Sequence, residues 1–150
     1  MLATETLPFT LLSEGMLASI RSVVPISYDN HSLESVEGHL HLEFAVLIGF
    51  TGDQKGKFIF KGEPQVFSAI GESMFGMPLE GEMLISFAGE LGNMISGGLC
   101  TNVSQNGIII DITSPTIMEG SSKVSGFKKG MEMKISFHEK GELSLFLLLD

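Results

Sequence analysis

Residues 86–98 read Ser86-Phe87-Ala88-Gly89-Glu90-Leu91-Gly92-Asn93-Met94-Ile95-Ser96-Gly97-Gly98. At about 100° per residue, Leu84, Phe87, Ala88, Leu91, Met94, Ile95 and Gly98 share one side of a helix, and Glu82, Ser86, Glu90, Asn93, Gly97 and Thr101 share the other. The first side reads as core and the second as a narrow polar stripe. Within the stripe a carboxylate and a carboxamide stand one turn apart, close enough to address one external object. On the residues alone an ordinary solvated face stays open beside that reading. Gly89, Gly92, Gly97 and Gly98 each cost a helix interior about 0.8–1 kcal/mol relative to Ala, so close approach of another backbone is expected in compensation.

Outward from this helix, which spans roughly Glu82 to Ser104 with Asn106-Gly107 as its stop, the pattern changes period. Glu63-Pro64 opens a shorter helix to about Phe75, with Val66, Phe67, Ile70 and Met74 inward and Gly76-Met77-Pro78 ending it. An opening helix runs from Pro8 to Val24, closed by Pro25, and Ser27 to Glu37 is polar and irregular with a turn at Asp29-Asn30. His39 to Phe50 begins with Leu40, Leu42 and Phe44 alternating onto one face and ends as an apolar run, a long strand buried on both sides at its end. Residues 51–56 turn, and Lys57 to Lys61 completes a hairpin. Beyond the long helix, Ile108 to Ile112 is a strand, Ser114-Pro115 interrupts it, and Thr116 to Met118 resumes. Gly120 to Gly130 reads as a polar connector. Met133, Ile135 and Phe137 then alternate, residues 139–142 turn, and Leu143 to Leu149 pairs back. Helices and hairpins in blocks predict an α+β fold, three helices packed on a mainly antiparallel sheet, in a single domain over 1–150.

Composition narrows the function. The 150 residues carry a formal charge of −9, and nine Lys and Arg in no basic run argue against nucleic acid. A hydrophobic fraction of 43% with mean hydropathy +0.30 is high for so acidic a chain and suits a buried subunit interface. Cys100 is the only cysteine, so there is no internal disulfide and no zinc spacing, and near the edge of the polar stripe it reads as a small buried helix residue in preference to a redox switch. The first ten residues lack a basic n-region, and Leu143 to Leu149 is too short to span a bilayer, so a cytoplasmic protein without membrane attachment is expected. No phosphate-binding glycine loop and no GxSxG elbow occurs. His39 and His41 point the same way from their strand, but two ligands without a third make an ordinary strand face the better reading than a metal site.

Residues Ser86 to Pro115 resemble the CheC/CheX/FliY family of bacterial chemotaxis phosphatases, most of all its CheX branch. The family motif has an Asp or Ser, then Glu four residues on, Asn three further, and a proline some twenty residues later; here these are Ser86, Glu90, Asn93 and Pro115. GELGNMISGGL and DITSPTIMEG extend the likeness, and the order of elements fits the CheC-like fold over nearly the whole chain. The resemblance implies dephosphorylation of a phosphorylated CheY-like response regulator in two-component chemotaxis signalling. Asn93 would orient the attacking water and Glu90 would contact the regulator's lysine. Mg2+ would sit on the regulator, with no metal or cofactor in this chain. Ser86, Gly89 and Gly97 flank the stripe as partner-binding positions, the glycines letting a partner come close. Ser13-Glu14 in the opening helix is followed at Leu17 by no amide, so one site per chain is expected, and a homodimer as in CheX. A non-catalytic docking module for a regulator or the flagellar switch is the alternative.

Overall fold

In the computed structural model, which describes the backbone of residues 2–150 and the side chains of 9–29 and 32–150, three helices lie on one antiparallel sheet of seven strands. The elements run α1 (Leu2–Val23), β1 (Tyr28–Val36), β2 (His39–Gly52), β3 (Gly56–Lys61), α2 (Pro64–Phe75), α3 (Gly81–Ser104), β4 (Ile110–Ile112), β5 (Thr116–Ser125), β6 (Lys129–Phe137) and β7 (Gly141–Leu149). The sheet order is β1-β6-β7-β3-β2, with β4 and β5 both pairing β2 along its outer edge. The expected α+β architecture is therefore present.

Four local expectations are corrected. Within the stretch Ser27 to Glu37, Tyr28–Val36 form a strand rather than an irregular segment, with Leu33 opposite Met133 and Val36 opposite Gly130. Of the connector expected over Gly120 to Gly130, only residues 126–128 are one: 120–125 are the second half of β5, with Val124 opposite Leu40, and 129–130 open β6. β1 and β5 are polar edge strands that expose most of their residues, so neither shows the alternation by which a half-buried strand is recognised. The third correction concerns β2. The pairing with β5 slips between Leu42 and Phe44, and a bulge there turns Leu40 and Leu42 to the opposite face from Phe44. Finally, α1 starts at Leu2, ahead of Pro8, because proline favours a first turn without dictating one.

The bulge lets one strand serve two cores. Phe44, Val46, Ile48 and Phe50 join Phe58, Phe60, Leu145 and Leu147 beneath the helices, where they meet Leu12, Met16, Phe67, Leu91, Ile95 and Leu99. On the other side of the sheet Leu40, Leu42, Ala45, Ile59, Phe146 and Leu148 form a second buried cluster, against which Val36, Met118, Val124 and Phe127 pack.

Most of the glycines in α3 are explained by this packing. A Cβ on Gly98 would collide with Ser19 of α1, and one on Gly92 would stand 3.0 Å from Val46 and 3.3 Å from Phe60. Gly15 answers from α1, where a Cβ would meet Val103 at 3.2 Å. At this crossing Ser19 Oγ donates to the Ile95 carbonyl at 2.7 Å and Asn102 Nδ2 donates to the Gly15 carbonyl at 3.1 Å. The expected approach of another backbone is thus replaced by side chains of α3's own neighbours, Ser19 of α1 at Gly98 and Val46 and Phe60 of the sheet at Gly92, and the orientation of α3 is fixed by them.

Candidate active site on the outer face of α3

With one side of α3 held against α1 and the sheet, the opposite side faces solvent by necessity. Glu82, Ser86, Glu90 and Thr101 are exposed, and Asn93 and Gly97 are half-buried at the stripe's margin. Among the described residues, neither the Glu90 carboxylate nor the Asn93 carboxamide has a hydrogen bond or ion pair within the chain. A short acceptor–donor side chain and a longer carboxylate therefore stand one turn apart on a rigid helix, both free to engage something outside.

Each flank of the stripe has its own structure. Gly89, one turn before Asn93, is buried, and a Cβ there would lie 3.4 Å from Ile117 and 3.6 Å from Pro115. The neighbour at Gly89 is thus the β4–β5 corner of this chain, which corrects the expectation that its missing Cβ faces a visitor. That corner is pinned to β2, where Gly49 N donates to Thr113 Oγ1 and Thr113 N donates to the Gly49 carbonyl, each at 2.9 Å. Pro115, distant in sequence, is in this way brought beside the stripe. Gly97 alone among the four glycines has nothing within 4 Å of a built Cβ, so its surface is open.

On the Glu90 flank lies a groove of about 770 Å3, formed by Phe75, Met77, Leu79, Glu82, Met83, Ser86, Phe87 and Glu90. Sequence reasoning missed this feature, and it misplaced Met94, which is 39% exposed rather than in the core. One signal was readable: residues 62–122 contain seven carboxylates and no Lys or Arg, so α2 and α3 bring acidic side chains to the surface and no Lys or Arg.

The remaining candidates do not join the stripe. The rings of His39 and His41 meet edge to face at 4.9 Å on β2, and among the described residues no group of three or more His, Cys, Asp or Glu could hold a metal ion. Cys100 is half-buried, not fully inward, and its thiol pKa is raised by burial first and by the charge of Asp111 second. Among the described residues no helix is long and apolar enough to cross a membrane.

The architecture is that of CheC-like proteins. A CheC-like superfamily protein from Shewanella superposes with a TM-score of 0.75 at 20% identity, covering 95% of this chain and 96% of its own. The CheX in a CheX–CheY–BeF3–Mg2+ complex from Borrelia burgdorferi superposes with a TM-score of 0.71 at 17% identity, over 94% and 96% of the two chains. In sequence, the CheY-P phosphatase CheX of Thermotoga maritima is 29% identical over 119 residues, which is 75% of this chain and 77% of that protein. The model of the family described as chemotaxis phosphatase CheX matches residues 44–138, and the chain belongs to that family.

Proposed function

We propose that this chain hydrolyses the acyl phosphate of a phosphorylated CheY-like response regulator, with Asn93 positioning the water and Glu90 holding the regulator's lysine. The observation that carries this reading is the pair itself: an amide and a carboxylate, one turn apart, outward and unengaged, on a helix locked from behind by Gly92 and Gly98. A Borrelia CheX–CheY complex with BeF3 and Mg2+ supports the choice of partner.

The chemistry suits such sparse equipment. Phosphoryl transfer to water passes through a loose transition state in which positioning and charge stabilisation outweigh deprotonation of the nucleophile. Water attacks phosphorus opposite the aspartyl oxygen, the P–O bond to that oxygen breaks, and the regulator's carboxylate and inorganic phosphate leave. Asn93 accepts a hydrogen bond from that water through its carbonyl oxygen without adding negative charge beside the phosphoryl oxygens. Glu90, across the stripe, neutralises a lysine and fixes the register of the two proteins. Magnesium belongs to the regulator's acyl-phosphate site in this scheme, and the chain works in the cytoplasm as a homodimer with one such site per subunit. The first helix supports the single site: Ser13 is buried with its hydroxyl bonded to the Thr10 carbonyl, and no amide follows Glu14 at Leu17.

Phosphate release from the host's phosphorylated CheY-like regulators, followed with and without the protein, tests the reading. Acceleration that disappears in both Glu90→Ala and Asn93→Ala is the expected result. Binding without acceleration would make the chain a docking module instead.

A further inference from the structure

We propose that the groove beside Glu90 sets partner affinity. It receives an apolar side chain that projects from the regulator next to a basic residue, and the carboxylate of Glu82 takes that basic residue. This deepens, and rests on, the phosphatase reading of the same stripe.

Three of the six exposed large hydrophobic residues among the described ones gather here, Phe75 at 62%, Met77 at 53% and Met83 at 60% exposure. Such a cluster marks an interaction surface when it is contiguous with a functional one, and Ser86 and Glu90 belong to both. The walls are already built. Phe75 stands edge to face on Phe87 with ring centres 5.8 Å apart, and α2 ends at Gly76, whose φ of 79° lets its N–H return to the Glu72 carbonyl at 2.8 Å. Ser68 Oγ donates to the Leu79 carbonyl at 2.9 Å, and Leu79 is buried over Gly71. A groove fixed in advance spares the ordering cost of docking, while the two methionines at its rim adapt to the shape they meet.

Charge selects the occupant. Glu82 and Glu90 line the groove, and the surrounding stretch 62–122 offers no Lys or Arg. Two copies of a chain of formal charge −9 would oppose carboxylate to carboxylate across it, whereas a regulator with a lysine beside an apolar side chain complements it. The groove then governs KM and the choice among regulators, and Asn93 governs kcat.

The test is the double variant Met77→Ala/Met83→Ala, both side chains being exposed and outside the core. KM for the phosphorylated regulator should rise about tenfold with kcat held within about twofold, and affinity for the regulator loaded with beryllofluoride and Mg2+ should fall by the same factor. Glu82→Gln should raise KM most at low salt and flatten its salt dependence. An unchanged KM and affinity, while Asn93→Ala still abolishes the rate, overturns the groove and leaves the phosphatase standing. A wild-type chain that accelerates nothing overturns both. Loss of self-association in the double variant at unchanged KM assigns the groove to a second copy and equally overturns the proposal.

Discussion

Adjacent glycines in α3 should respond to the same substitution with opposite signs. At Gly97 a built Cβ meets nothing within 4 Å, so Gly97→Ala recovers the helix propensity that glycine forfeits, about 0.8–1 kcal/mol. For a chain of this size that is about 3 °C in Tm. At Gly98 the new Cβ collides with Ser19 Oγ and lies 3.0 Å from Ser19 Cβ. The propensity gain there is outweighed, since the Ser19–Ile95 hydrogen bond, about 1 kcal/mol, is lost and α1 is forced off α3 at about 1–3 kcal/mol. Gly98→Ala is therefore destabilised by about 1–3 kcal/mol net. Urea unfolding of both variants measures the two shifts. If the partner docks on the open surface at Gly97 as proposed, the stabilised Gly97→Ala protein should nonetheless dephosphorylate the regulator with a raised KM, its methyl group standing on that surface. Two shifts of the same sign would refute the packing argument, and a stabilised Gly97→Ala protein with unaltered KM would remove Gly97 from the docking face.

Asn93→Asp should be as crippled as a truncation, since the carboxylate confronts the phosphoryl oxygens with like charge; full turnover in a phosphate-release assay would refute the neutral-amide argument. With the Cys100 pKa pushed up by burial and then by Asp111, little thiolate is present at pH 8, and iodoacetamide should label Cys100 more slowly than free cysteine. Asp111→Asn should speed that labelling while leaving it below the free-thiol rate, because burial is the larger cause. Thr113→Val removes the hydroxyl that Gly49 N donates to and should cost about 1 kcal/mol in thermal unfolding; a neutral result would show that the β4–β5 corner is not held by this bond.

The helices and the central strands were legible because their apolar residues repeat with the period of the element that buries them. Leu12, Met16 and Ile20 in α1 and Met133, Ile135 and Phe137 in β6 are cases in point, and all are buried. The edge strands were not legible. Residues 28–36 and 120–125 hold their place by backbone pairing, to which side-chain pattern contributes little. The bulge at Glu43 escaped notice for a related reason: it leaves no mark in composition yet reverses the facing of every residue before it. At the site, the polar stripe followed from helical spacing alone. The placement of Pro115 beside Gly89, and of Phe75 and Met77 beside Glu90, depends on how α2 and the β4–β5 corner fold back onto α3. No local pattern encodes such long-range juxtapositions. Glycine chemistry was half legible, since the cost to the helix was evident but the space of the missing Cβ atoms is taken by side chains of α1 at Gly98 and of the sheet at Gly92 rather than by an approaching backbone.

The central claim is that Asn93 contributes to the chemical step and hardly to docking. It is tested most directly by measuring, for Asn93→Ala, both the decay of the phosphorylated regulator at saturating protein and the affinity for the beryllofluoride-loaded regulator. Decay no faster than the regulator's own rate, at an affinity within about twofold of wild type, is the expected result, a loss confined to the transition state. Saturating decay near the wild-type rate, or an affinity loss that accounts for the whole defect, would contradict it.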